Sequence, residues 1–307
     1  MPAFLRTAMI KENRHIAELT LNAIAEAMAK DQGSSFRYYS GQLIPGLKDA
    51  YDPDNTPFRS HLGASMIGGK CDRALWYGFR WHTLPNHEGR LLRLFNRGHL
   101  EEGRFIAALM TIGVQVYQYD DNGTQFRISD VYGHFGGSTD GVAIGLPECP
   151  SNYVLTEFKT HGEKSFIKLQ KEGVRESKFE HYIQMQIYMY KKGLHLALYL
   201  AVNKNTDEIY GEFITLNEPV AKIYINRAHD IIFAKTPPKK LSESPAWYEC
   251  KFCDHFKLCH TDGQPAVNCR TCKFSEPVDE ALWQCNKYRC FIDKKQQLQG
   301  CQSWEQI

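Results

Sequence analysis

Long apolar runs, a secretory leader and an excess of charge are all missing from this chain. No stretch of about twenty apolar residues occurs, so no membrane-spanning helix is expected. Nothing at the start has the charged, apolar, small-residue order of a secretion signal. The expectation is a cytoplasmic protein with no membrane partner. Lys and Arg number 37 against 35 Asp and Glu, leaving a formal charge of +2. A nucleic-acid-binding face must then come from local clustering of basic residues, not from bulk charge. Internal repeats and low-complexity tracts are absent. At 307 residues the length suits one large domain, or one domain with a small appendage.

What the chain has in quantity is cysteine, ten in all. Without a leader, that number argues for metal ligation over a disulfide scaffold. Cys250-x2-Cys253-x5-Cys259 forms a compact trio, and Cys71 stands far upstream. Iron–sulfur clusters want four thiolates, which need not be sequential. Structural zinc on the same four, or on the trio with His255 or His260, is the other reading. A second group is Cys269-x2-Cys272, Cys285 and Cys301, with Cys290 as the alternative for either of the last two. Two close thiolates followed by two distant ones fit tetrahedral zinc. A segment this short can hardly bury its own core. Cys149 reads as a plain thiol.

The densest chemistry lies in GGSTDGVAIG, which contains Asp140, and YVLTEFKTH, which contains Glu157 and Lys159. The span from Tyr132 to Thr160 reads as a β-hairpin with its turn near Cys149, which sets Asp140 opposite Phe158. Side chains alternate along a strand, so Glu157 and Lys159 share a face. Two carboxylates suffice to hold magnesium beside a phosphate, since that ion keeps several of its waters. Lys159 would orient an attacking water and stabilise phosphoryl charge. The plainer alternative is a solvated surface hairpin.

Flanking segments add to this set. Arg97 to about Ile112 reads as a helix with Glu101 and Glu102 in its first turn, where acids also favour a helix N-terminus. The amphipathic segment from His181 to Tyr190 puts Gln184 and Tyr188 on one face, with Gln186 and Tyr190 as a second register. Lys164, Lys168, Lys171, Arg175 and Lys178 recur at helical spacing, and Arg90, Arg93 and Arg97 cluster near the first acids. These are candidate DNA-phosphate contacts. Further strands are expected over Leu194–Val202 and Glu208–Leu216, with a helix from about Pro219 to Lys235. Before all this come a helix from roughly Arg14 to Lys30 and a connector from Gly46 to Pro57.

In order and spacing these residues resemble the PD-(D/E)xK nuclease superfamily, and within it the RecB-like branch with the YqaJ-type phage exonucleases. The resemblance runs over roughly residues 61–260 and implies an α/β fold with a mixed central sheet flanked by helices. By it, Glu102, Asp140 and Glu157 bind magnesium or manganese, Lys159 is catalytic, and Gln184 and Tyr188 support the site and contact substrate. One upstream Cys with a downstream C-x2-C-x5-C resembles the AddB-like and CRISPR-associated adaptation nucleases. That likeness implies a [4Fe–4S] cluster on Cys71, Cys250, Cys253 and Cys259, stapling the chain around the core.

The expected organisation is a helical extension over 1–60, a nuclease domain over 61–260 and a zinc-binding appendage over 265–307. The expected function is a metal-dependent deoxyribonuclease, a phage-type exonuclease acting in recombination or DNA processing. Its expected partners are DNA and a single-strand annealing or recombination protein. A CRISPR-adaptation-like end-trimming nuclease and a non-catalytic DNA-binding scaffold are the rivals.

Overall fold

The computed structural model describes residues 14–31, 34–43, 59–84, 89–121, 123 and 125–307. The elements begin β1 (His15–Ile16), α1 (Glu18–Asp31), α2 (Ser34–Leu43), β2 (Leu62–Gly63), α3 (Asp72–Phe79), α4 (Gly89–Thr111), β3 (Gln115–Tyr117) and β4 (Arg127–Asp130). They continue through β5 (Phe135–Ser138), β6 (Gly141–Ile144), β7 (Val154–His161), α5 (Glu163–Ser177), α6 (Phe179–Lys192), β8 (Leu196–Asn203), β9 (Ile209–Thr215) and α7 (Glu218–Phe233). The chain ends with α8 (Tyr248–Lys251), α9 (Phe256–His260), β10 (Ser275–Pro277), β11 (Trp283–Cys285), β12 (Cys290–Ile292) and α10 (Lys294–Gln299). Among the described residues no helix is long and apolar enough to cross a membrane.

Packing divides the chain into two units, each built from three separate segments. The first takes the described residues of Met1–Asn55, His87–Ile128 and Ser138–Ala221. The second takes those of Thr56–Asn86, Ser129–Gly137 and Lys222–Ile307.

The first unit is α/β, with a mixed six-stranded sheet in the order β1-β9-β8-β7-β6-β3 flanked by helices. Strands β7 and β8 are parallel and the other pairs antiparallel. A parallel pair needs a crossover, which α5 and α6 supply. The LALYLAVN run of β8 is apolar on both faces, as a strand covered on both sides requires, and seven of its eight residues are buried. Phe158 of β7 stacks on Phe105 of α4 at 5.2 Å and joins a core with Leu109, Val154, Leu198 and Phe213.

Several sequence expectations need correction here. The paired strand starts at Gly141 and not at Tyr132, because Val131–Gly133 is a 3-10 turn and Phe135–Gly136 pairs with Leu62–Gly63 instead. The pairing also differs by one residue. Gly141 faces Thr156, so the same register sets Asp140 level with Glu157 rather than Phe158. The turn is fixed by a partner far away in sequence. Glu148 accepts hydrogen bonds from the Thr20 backbone N–H (2.9 Å) and hydroxyl (2.5 Å) in the first turn of α1, where a carboxylate is favoured. The helix expected from Arg97 begins at Gly89, which puts Glu102 well inside it. Arg14 to Ile16 is edge strand and its approach, not helix. The Gly46 to Pro57 connector and the side chains of Arg90 and Arg93 lie outside the described residues.

The basic stripe after β7 is not one continuous helical face. Gly173 adopts φ 76° inside α5, a conformation that strains other residues. A Cβ there would also meet Arg14 Cδ at 2.5 Å. The break lets the Val174 N–H donate to Glu212 Oε2 at 2.8 Å. Lys164, Lys168 and Lys171 are exposed on the stretch before it, whereas Arg175 and Lys178 follow it and are half-buried. Lys168 pairs with Glu172 at 3.6 Å, and Lys178 donates to the Ser165 hydroxyl.

In the second unit β2 and β5 pair in parallel, and β10, β11 and β12 form a small antiparallel sheet. Its centre is cationic. The guanidinium of Arg270 lies 3.7 Å from the ring centroid of Trp81 and 4.6 Å from that of Trp283. It donates to the carbonyls of Phe79 and Ser60, both at 3.0 Å, and to Gln297 Oε1 at 2.9 Å. Arg80 lies 5.3 Å from both Trp76 and Trp283. Burial lowers the Arg270 pKa to about 9 and that of Arg80 to about 10.

Candidate active site

Strand alternation sends Phe158 to the core, so its neighbours Glu157 and Lys159 project to the other face of the sheet. The Asp140 carboxylate ends the approach to β6 and accepts the Phe158 N–H at 2.7 Å. That bond anchors Asp140 at the point where the acids of the neighbouring strand emerge. The Lys159 ammonium forms an ion pair with Glu157 Oε1 and reaches to 4.0 Å from Asp140 Oδ2. Glu102 of α4 is close enough for its charge to act on Asp140, Glu157 and Lys159 alike. The three acids and the lysine named from sequence therefore meet.

The electrostatics of this cluster are unfavourable as it stands. Burial pushes the Asp140 carboxyl well above its usual range, and the Glu157 charge adds to this. Burial likewise raises Glu157, against the opposing pull of Lys159. Burial works against the charge of Lys159, but Glu157 and Asp140 outweigh it and hold its pKa above the ordinary value. Glu157 is fully buried, and its Oε2 has no hydrogen-bond partner. An unpartnered carboxylate oxygen in such a place is costly. A group of acids that cannot share enough protons or donors is matched to a divalent cation, which takes oxygen ligands. Among the described residues no group of three or more His, Cys, Asp or Glu is arranged so that it could hold a metal ion with the side chains as they stand.

Both register ambiguities resolve. Glu101 is taken by Arg104, which donates to its two oxygens at 2.8 and 3.0 Å. Glu102 keeps only a long contact of 3.6 Å to His99. On α6, Gln184 is buried, and its amide favours the charged form of Glu157. Gln186 is used elsewhere: it donates to the Thr215 carbonyl at 3.0 Å and accepts the Asn217 N–H at 2.5 Å. Tyr188, one turn beyond Gln184, is buried.

Sequence reasoning missed a polar layer beside Glu157. Tyr199 of β8 lies next to Glu157 in the parallel register. Its hydroxyl is hydrogen-bonded to His161 Nε2 at 2.9 Å and His181 Nδ1 at 3.0 Å. The available signal was parity, since His161 continues the alternate positions of Glu157 and Lys159. Burial lowers the His161 pKa to about 4 and that of His181 to about 2. In the second unit burial lowers His82 to about 3. All three stay neutral in the folded state through the range where an unfolded histidine gains its proton. The unfolded state then binds more protons, so stability falls as pH falls. The expected result is a loss of thermal stability from pH ~6.5 towards pH ~4, to which each such histidine contributes about 1.4 kcal/mol per pH unit. The raised carboxyls of Asp140 and Glu157 offset this in part as they take up protons. A melting temperature flat across that interval would contradict it.

The cysteines also gather, all but Cys149 within the second unit. Cys71 caps α3, where its sulfur accepts the Ala74 N–H at 3.4 Å. Cys250 and Cys253 both have pKa values raised by burial first, with contributions from Cys71 and Cys259. His255 is hydrogen-bonded to the Thr83 hydroxyl at 2.9 Å. The Nε2 of His260 is buried without a partner. Cys269, Cys272, Cys285 and Cys301 line one small cavity. Cys290 is exposed and does not line it. Cys149 packs against the core of the first unit.

Comparison with solved structures finds LHK-Exo, an alkaline exonuclease from Laribacter hongkongensis. Its complex with dAMP aligns at 16% identity and a TM-score of 0.41, covering 56% of this chain and 86% of that one. A second structure of it aligns at 15% and 0.40 over the same shares. The crystal structure of SSO0001 aligns at 13% identity and 0.38, covering 71% of this chain and 93% of that one. No family model and no curated protein matches. With likeness at this level, chemistry has to be argued from the groups of the site itself.

Proposed function

We propose that the chain is a metal-dependent deoxyribonuclease that hydrolyses phosphodiester bonds, and that it acts as an exonuclease. The observation that carries this is the meeting of Glu102, Asp140, Glu157 and Lys159 around a buried, unpartnered oxygen of Glu157. Glu102, Asp140 and Glu157 would hold magnesium or manganese. Such a cation supplies Lewis acidity to the phosphoryl oxygens and to the attacking water. Asp140 is fixed for that task by the Phe158 N–H, and Glu157 by the Lys159 ammonium on its Oε1. Lys159 neutralises the two acids here, and in the reaction its ammonium stabilises the charge that develops on the phosphoryl group. Exposed Lys164, Lys168 and Lys171 lie on the helix directly after the strand that carries Glu157 and Lys159, and there they would contact DNA phosphates without regard to sequence. Exonuclease action follows the motif resemblance to the RecB-like branch, and a [4Fe–4S] cluster on Cys71, Cys250, Cys253 and Cys259 follows the separate cysteine resemblance to AddB-like and CRISPR-associated adaptation nucleases.

End-labelled linear duplexes and covalently closed circles, incubated with magnesium, test the reading. Linear DNA should be degraded from its ends and circles spared, with salt-sensitive binding. Asp140→Asn should remove the activity and leave a folded protein. Cleavage that is unchanged in Asp140→Asn would overturn the site, and efficient cutting of circles would overturn the exonuclease assignment. Failure of any DNA to be cut, with DNA still bound, would favour the scaffold reading. Anaerobically purified protein should be brown and hold about four irons per chain if the cluster is present. Colourless, zinc-loaded protein would replace the cluster with zinc.

A further inference from the structure

The proposed nuclease chemistry and its cluster leave six of the ten cysteines unused, and four of the six line one cavity. We propose that Cys269, Cys272, Cys285 and Cys301 form a structural zinc site, with Cys290 excluded from it. The inference stands apart from the nuclease reading and would survive its failure.

The four sulfur-bearing residues come from three different places in the chain. Cys269 and Cys272 flank a 3-10 turn held by a reciprocal cap, in which the Asn268 side chain accepts the Thr271 N–H and the Thr271 hydroxyl accepts the Asn268 N–H. Cys285 ends β11. Cys301 follows Gly300, whose φ of 65° turns the chain after α10. Local structure therefore delivers three separate segments to one point.

The donor set selects the occupant. Four thiols from three segments line one small cavity, the ligand number of a single structural zinc. Zinc with four thiolates is tetrahedral and closed, the form used in structural sites. Each thiol would lose its proton on binding, so zinc uptake releases acid.

The segment also needs such a clasp. Its sheet has strands of three residues each and its helix has six. Trp283 and Ile292 are buried, whereas Tyr288 and Phe291 are exposed. Domains this small are commonly held by metal or disulfides. Cys290 sits directly across from Cys285 in the β11–β12 register, so sequence spacing alone cannot choose between them. The cavity lining does choose, since Cys285 lines it and Cys290 does not, whereas exposure does not separate the candidates, Cys290 and Cys301 both being exposed.

Metal analysis of the full-length protein, purified anaerobically without added metal, tests the assignment. Cys285→Ser and Cys301→Ser should each hold one zinc per chain fewer than wild type, while Cys290→Ser matches it. Iron read in the same samples should not change. The proposal fails if wild type holds no zinc, if Cys285→Ser keeps the full complement, or if Cys290→Ser loses a zinc. Because the serine variants can fail to fold, Cys285→His is measured alongside by zinc X-ray absorption. It should keep the metal with one sulfur replaced by nitrogen, and an unchanged all-sulfur shell would equally overturn the site.

Discussion

Lys159→Ala should lower magnesium-dependent cleavage of linear DNA by about 10²–10³-fold, the loss typical when one preorganised charge-stabilising donor is removed. The side chain is placed for the task by the parity of β7, which puts it beside Glu157 and 4.0 Å from Asp140. The loss should fall on turnover and leave DNA binding nearly intact, since phosphate contacts are assigned to the exposed lysines of α5. The metal-free variant should also be less stable than wild type, because two buried carboxylates then lose the cation they share. Initial rates on end-labelled duplex, with binding measured separately, decide the matter. A variant that keeps more than about a tenth of wild-type turnover would remove Lys159 from the chemistry.

Arg270→Leu should destabilise the second unit by about 3 kcal/mol or more, since each buried acceptor left without its donor costs roughly 1–3 kcal/mol. Three acceptors would lose their donor: the carbonyls of Phe79 and Ser60 and the Gln297 amide oxygen. The rings of Trp81 and Trp283 would lose the planar cation packed against them. Arg270→Lys should rescue little, since an ammonium cannot reproduce a planar fork and its stacking. Denaturant unfolding followed by tryptophan fluorescence reads the effect. A change under about 1 kcal/mol would place it among ordinary surface substitutions and refute the central role given to Arg270.

Much of the site could be read from sequence because its pieces lie on regular elements. Strand alternation was enough to put Glu157 and Lys159 together, and helical spacing was enough to pair Gln184 with Tyr188. What stayed hidden depended on distant partners. The turn after β6, whose register differs by one residue at Asp140, carries Glu148 bonded to Thr20, a contact 128 positions apart that spacing does not show. The choice of Glu102 over Glu101 rests on Arg104, and that of Gln184 over Gln186 on Thr215 and Asn217. Those side chains reveal their occupation only in three dimensions. The basic stripe misled because the helical periodicity is broken by Gly173, whose positive φ a spacing argument does not see. The Tyr199 layer was missed since a tyrosine inside an apolar strand reads as core.

The interleaving of the two units has a consequence for how the protein is made. Every segment of the first unit has been synthesised once Ala221 is added, and its last acid–lysine pair long before that. The segments Thr56–Asn86 and Ser129–Gly137 belong to the second unit, whose remaining portion, Lys222–Ile307, is translated last. Trp81 must therefore wait for Arg270, and Phe79 for Trp283, to arrive. During that interval the nascent chain carries uncovered aromatic surface, which is the condition under which larger proteins misassemble. Slow translation of the final third, or a chain cut short before Arg270, should thus be felt as aggregation of the whole polypeptide and not as loss of a dispensable tail.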